Sequence, residues 1–215
     1  MSNTDNLSRG GTAGRTFPAE PLTMDEMRSL LDCAMYSVRP AWTAHRSRAA
    51  LVLMWRGGLR ASEALSVERR DIDFDAGTVR VRDGKGGTTA TVGIDPDGLS
   101  ILRQWEHERS TRGGTPNEQW LRVPGRNEWT YFAMNMHMKR LAKRAGIAKR
   151  VSCHQFRHTM AAQMADEGVD IRIISTQLRH SSVDTTHRYV NHLKPADVIE
   201  AVAKRPGFLT TTTEG

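Results

Sequence analysis

Toward the C-terminal end of a 215-residue chain, the stretch Ser152 to Tyr189 gathers side chains that handle phosphates and protons: His154, Arg157, His180 and Tyr189. Ser152 can cap a helix whose first turn carries the histidine and the arginine three positions apart, so both leave the same face and can converge on one anion. A guanidinium presents a planar fork of donors to phosphate oxygens. An imidazole moves a proton near neutral pH. A tyrosine is a nucleophile once its phenol, with an ordinary pKa near ~10, gives up a proton. Tyr189 follows His180 by nine residues, among polar neighbours and not in an apolar run.

A second group lies upstream. Arg60 follows the Gly57-Gly58 turn and precedes a short helix, with Glu63 three residues later on the same side. The carboxylate can orient the guanidinium through a planar ion pair; taken alone, the pair also reads as a surface salt bridge. Lys85 stands at the tip of a glycine-rich hairpin, where Gly84 and Gly86 let the loop approach a backbone closely. Its surroundings lack the spacing of a nucleotide-binding P-loop, and a solvated turn lysine is the plainer reading.

The elements that must position these groups are legible as hydrophobic periodicity and punctuation. Thr23 and Glu26 form a capping box ahead of a helix with Met24, Met27, Leu30, Leu31 and Ala34 on one face. A second helix, about Thr43 to Arg56, carries Ala49, Ala50, Val52, Leu53 and Met54 and should be one of the most buried elements. Asp71 to Asp75, Thr78 to Arg82 and Thr88 to Ile94 alternate apolar and polar residues between turns, which predicts a three-stranded antiparallel meander. Pro96 opens a helix through Leu99, Ile101, Leu102 and Trp105, and Trp120 to Val123 is a short apolar run. From Thr130 a longer helix puts Tyr131, Met134, Met138, Leu141 and Ala145 on one stripe, with His137, Lys139, Arg140, Lys143 and Arg144 elsewhere. Those cations are either a solvated face or a surface laid along nucleic acid phosphates. The helix after Ser152 uses Phe156, Met160, Ala161 and Met164 and stops at Gly168; Asp170 starts another through Ile171, Ile173, Ile174 and Leu178.

HQFRHT followed by LRHSSVDTTHRY resembles the C-terminal signature of the tyrosine recombinases, the phage-integrase family, in which H-x-x-R is followed by an L-G-H tripeptide and, about nine residues on, a tyrosine. GLRASEAL resembles the N-terminal signature of the same family and stands in the family's order about 95 residues earlier. The resemblance covers about Leu22 to Arg205 and implies the catalytic-domain fold of DNA breaking-rejoining enzymes. It implies that Arg60 and Arg157 are catalytic arginines, that Glu63 supports Arg60, and that Lys85, His154, His180 and Tyr189 complete the catalytic set. Tyr189 would attack the scissile phosphate, the arginines would hold its non-bridging oxygens, and Lys85 would protonate the departing 5′-oxygen, with no metal or other cofactor. Arg179 departs from the pattern, standing where the family usually has glycine between leucine and histidine.

The expected fold is therefore mixed α+β, mostly helical with a small three-stranded antiparallel sheet. Residues 1–21 read as a flexible leader, 22–205 as the catalytic domain and 206–215 as a flexible tail. The leader is too short for the separate helical domain with which most of the family clamps DNA, so a catalytic-domain-only enzyme is expected. Lys and Arg outnumber Asp and Glu by 31 to 24, giving a charge of +7, which suits double-stranded DNA as partner. The helix at 195–205 cannot stand alone in water and, by the resemblance, docks on a neighbouring protomer in a tetrameric synapse. Two distant cysteines, Cys33 and Cys153, give no disulfide framework or zinc spacing, and no stretch is apolar enough for a membrane span; a cytoplasmic, nucleoid-associated protein is expected. Two other readings remain: a type IB topoisomerase-like relaxing enzyme and a non-catalytic DNA-binding regulator on the same scaffold. Accessory proteins and the choice among integration, excision and inversion are not encoded in recognisable form.

Overall fold

The protein is described by a computed structural model over residues 20–38, 40–82, 89–126 and 128–179. Lys85, His180, Tyr189 and the 195–205 helix lie outside the described residues. Helix α1 (Met24–Ser37) opens on the expected capping box, with the Thr23 side chain accepting from the Glu26 N–H and the Glu26 carboxylate from the Thr23 N–H. Helix α2 (Ala41–Trp55) is the axis of the fold: every residue from Ala49 to Trp55 is buried, and it packs against α1 and against α4 (Pro96–Ser110) and α6 (Cys153–Asp166). A helical segment apolar on all sides, as Ala49 to Trp55 is, has no stable place except the centre of a layered core.

After the Gly57-Gly58 turn come the short helix α3 (Ala61–Ser66), a 3-10 turn at Arg69–Asp71, and strands β1 (Ile72–Asp73), β2 (Thr78–Arg82) and β3 (Thr89–Gly93). The strands form an antiparallel sheet in the order β1-β2-β3, with Val79 opposite both Ile72 and Val92. Val79, Val81 and Val92 face the core, while Arg80 and Arg82 on the other face hold the buried carboxylate of Asp71 at 3.2 and 2.7 Å. Arg82 pairs with Thr89, which sets the two stems of the hairpin that carries Lys85.

Helix α5 (Tyr131–Arg144) packs on α1, α3 and α6, and α7 (Ile171–Leu178) packs on α6 and β3. Four local expectations are corrected here. The Ser152 side chain makes no cap; the first N–H of α6, that of Cys153, is accepted by Asn135 Oδ1 of α5 at 3.1 Å. Tyr131 is 54% exposed and Ile173 58% exposed, so neither belongs to its apolar stripe: Met134, Met138, Leu141 and Ala142 bury α5, and Ile174 and Leu178 bury α7. Third, α6 is buried well beyond its stripe, Gln155, Arg157, His158 and Thr159 included.

His137 is the fourth correction, since its ring is drawn into the fold while the four cations of α5 stay exposed. Its Nε2 lies 2.8 Å from Ser47 Oγ, and its ring stands edge-on to Trp129, whose other neighbour is the Arg46 guanidinium at 4.2 Å. Burial, with smaller contributions from Arg46, Arg140 and Arg144, pushes the His137 pKa down to about 4. The unfolded chain takes up that proton near 6.5, so the stability this histidine contributes is complete above that pH and falls as pH drops toward about 4. The loss reaches up to about 3 kcal/mol by linkage. Urea unfolding at pH 7 and 4.5 should therefore show a smaller acid-side loss for His137→Gln than for the parent; equal losses would place the acid sensitivity elsewhere.

Candidate active site

A cleft of about 130 Å³ opens between the start of α3, the start of α5 and the first turn of α6, lined by Arg60, Ser62, Tyr131, Cys153, His154 and Arg157 among others. It is smaller than the roughly 300–1,000 Å³ usual for pockets that enclose a small molecule. Its size and charge suit one anionic group presented by something larger that stays outside.

Each cation reaches this cleft by a different local device. Arg60 occupies the N-cap position of α3; its N–H donates to Glu63 Oε2 at 2.6 Å and its Nη1 to Glu63 Oε1 at 2.7 Å. The side chain is half exposed, so the guanidinium is aimed but reachable. His154 and Arg157 sit one turn apart on α6, and both line the cleft as their spacing predicts, yet at different depths: His154 is exposed and Arg157 is 2% exposed.

Arg157 is part of the frame as well as the floor of the cleft. Its Nη1 donates to the Gly58 carbonyl and its Nη2 to the Leu178 carbonyl. It thereby ties the turn that delivers Arg60 to the end of α7, two residues ahead of His180. Gly58 is required for that approach. Its φ is +64°, and a Cβ there would fall 2.7 Å from Met160 Sδ and 2.9 Å from Leu178 Cδ2.

Electrostatics follow from the crowding. Partial withdrawal from water, and then Arg157 and Arg60 beside it, lower the His154 pKa, which favours the neutral imidazole with one donor and one acceptor nitrogen. Burial pushes the Cys153 thiol up to about 11, so it is an inert wall. For Glu63, burial raises the pKa, but the Arg60 N–H and the guanidiniums of Arg179 and Arg60 outweigh it and hold the carboxyl below its ordinary value. Gln177 adds a structural tie to the sheet, accepting from the Gly93 N–H at 3.1 Å and donating to the Gly93 carbonyl at 2.8 Å. The base of the hairpin bearing Lys85 is thus fixed against α7.

The four α5 cations do not form one stripe. Lys139 and Lys143 border a cleft of about 530 Å³ with Lys149 and Arg150, whereas Arg140 and Arg144 border another, of about 400 Å³, with His137. All four are exposed. Lys139 lies eight residues beyond Tyr131, about 12 Å along the helix axis at ~1.5 Å per residue. Tyr131 was missed as a lining residue because its periodic position on α5 reads as core; its place at the helix's first turn was the available contrary signal.

The comparisons with known proteins agree with this architecture. Residues 20–195 match the phage integrase family, a span that takes in Arg60, Lys85, His154, Arg157, His180 and Tyr189. The fold is that of recombinase catalytic domains: the crystal structure of XerA recombinase superposes with a TM-score of 0.73 at 27% identity, covering 91% of this chain and 66% of that one. The chain belongs to the phage integrase family. It is 33% identical over 191 residues to the tyrosine recombinase XerA of Thermococcus kodakarensis, covering 85% of this chain and 62% of that protein. It is 34% identical over 167 residues to tyrosine recombinase XerC of Xanthomonas campestris pv. campestris, covering 74% of this chain and half of that protein. A structure of the XerH site-specific recombinase bound to a palindromic difH substrate shares the fold, with a TM-score of 0.74 at 22% identity.

The two arginines should separate in their effect on stability. Arg157→Ala leaves two buried carbonyls without their donor and should lose about 2–5 kcal/mol of unfolding free energy. Arg60→Ala removes a half-exposed pair from a carboxylate that Arg179 still holds, and should change stability by less than about 1 kcal/mol. Chemical unfolding of both variants checks this; similar losses would contradict the assignment of Arg157 to the frame.

Proposed function

We propose that this chain carries out site-specific recombination, cutting and rejoining double-stranded DNA through a 3′-phosphotyrosyl link. The observation that carries the reading is the convergence of Arg60, His154 and Arg157 on one small cleft, in a chain whose family match extends through Tyr189. Relatives named tyrosine recombinases support it.

In this reading the scissile phosphate enters the cleft. Arg60 donates from its exposed side, and Arg157 lies beneath, so negative charge building on the non-bridging oxygens meets fixed cations whose positions are set before the reaction. Deprotonated Tyr189 oxygen bonds to phosphorus as the bond to the 5′-oxygen breaks. Lys85 supplies the proton that oxygen takes up, leaving a 5′-hydroxyl that can later attack the phosphotyrosine and reverse the step. The phosphodiester energy is kept in the covalent link, so no cofactor is consumed. His154, held neutral beside two guanidiniums, can take up the phenol proton or donate to a phosphate oxygen; His180 shares that task. The cations at Lys139, Arg140, Lys143 and Arg144 provide phosphate contacts away from the reacting centre.

Exchange of strands between two sites needs more than one active site, and the 195–205 helix is the proposed link among protomers of a tetramer. None of the described helices is long and apolar enough to cross a membrane, and a DNA-acting enzyme would work at the nucleoid.

Tyr189→Phe should retain folding and DNA binding but form no covalent adduct on a nicked suicide substrate, whereas the parent chain should trap the 3′ end. An adduct in the Phe variant would remove Tyr189 from its role. Relaxation of arbitrary supercoiled plasmids by the parent, with no site preference, would instead favour a topoisomerase-like activity.

A further inference from the structure

Among the described residues, Arg179 is the one non-glycine residue with positive φ, at 53°, with ψ 44°. It is the left-handed cap of α7, a conformation that costs an ordinary L-residue free energy and that glycine takes without penalty. Something must offset that cost. The side chain reaches to α3, where Nη2 pairs with Glu63 Oε2, and its Nη1 donates to the Gln177 carbonyl at 3.2 Å; it is only 11% exposed.

Glu63 is therefore shared. Its Oε1 receives Arg60 Nη1, and its Oε2 receives both the Arg60 N–H and Arg179 Nη2, with the carboxylate 15% exposed. A carboxylate at this depth with Arg60 as its sole cationic partner would resist giving that partner up, because an unpaired buried charge is costly. With a second guanidinium in place, Arg60 can commit its exposed donors to an incoming phosphate from the position it already holds, while Glu63 stays neutralised. Resting on the recombinase reading, we propose that Arg179 is a positioning residue that holds the charge of Glu63 so that Arg60 can be committed to the scissile phosphate. It also anchors the residue directly preceding His180 to the start of α3.

The test is single-turnover cleavage of a suicide substrate at saturating DNA, normalised to the folded fraction from each variant's melting curve. Arg179→Gly relieves the backbone and removes the charge; it should bind DNA within about twofold of the parent yet cleave about tenfold more slowly or worse. Arg179→Lys keeps the charge in the same backbone and should recover most of the rate, whereas Arg179→Ala should not. In a Glu63→Gln background, where no charge needs holding, Arg179→Gly should change the rate by less than about twofold. Cleavage by Arg179→Gly at the parent rate would overturn the proposal, and so would an undiminished defect in the Glu63→Gln background, which would mark Arg179 as a direct phosphate contact. Should the glycine variant not fold, the Lys and Ala variants decide: a fast lysine and a slow alanine support the role, and equal rates overturn it. Failure of the parent chain to form any adduct would count against the recombinase reading itself, whereas a parent adduct with an equally fast glycine variant counts against this role alone.

Discussion

The buried guanidinium of Arg157 is the constraint on which the site depends. It donates to the carbonyls of Gly58 and Leu178, joining the exit of α2 to the exit of α7 through the first turns of α6. Each of those carbonyls stands just ahead of a residue of the proposed catalytic set: in the sequence Arg60 comes two residues after Gly58, and His180 two residues after Leu178. One side chain thus sets the separation of parts far apart in sequence, and the same side chain forms the floor of the cleft. A lysine could reach one carbonyl but not bridge both, because it lacks the planar fork.

Around this tie the molecule arranges support in widening circles. Gln177 pairs with the backbone of Gly93 much as a neighbouring strand would, so the sheet and its hairpin follow α7. Asn135 of α5 accepts from the Cys153 N–H and fixes the start of α6, which holds the turn carrying His154 and Arg157 against Tyr131. Glu63 accepts from the guanidiniums of both Arg60 and Arg179. The result is a concentration of positive charge that is held by backbone carbonyls and one shared carboxylate, in the manner of a site preorganised for negative charge that develops during reaction.

What could be read from the sequence was local. The Thr23 and Glu26 box, the Gly57-Gly58 break, the Arg60 to Glu63 pair and the alternating strands depend on residues within a few positions of one another, and each stands as expected save that the first strand shortens to Ile72–Asp73. What escaped was long-range. Ser152 has the chemistry of a cap, but Asn135, 18 residues from Cys153, takes its place. His137 shares a helical turn with cations, and only the fold brings Ser47 and Trp129 to its ring. Spacing correctly put His154 and Arg157 on one face but could not say that one would be exposed and the other buried, since depth is decided by the elements packed on α6. Arg179 showed as a departure from a family pattern; its partner, 116 residues away, could not be inferred from that.

The central claim is that fixed guanidiniums act by neutralising the non-bridging oxygens of a phosphate in the Arg60–Arg157 cleft. A substrate whose scissile linkage is a methylphosphonate, with one charged oxygen replaced by methyl, tests this most directly. The Arg60→Ala variant should cleave that neutral linkage with most of its defect relieved relative to the parent chain, since the charge the arginine offsets is gone. A defect of equal size on the neutral and the charged linkage would contradict the account and return Arg60 to a role in folding or DNA placement.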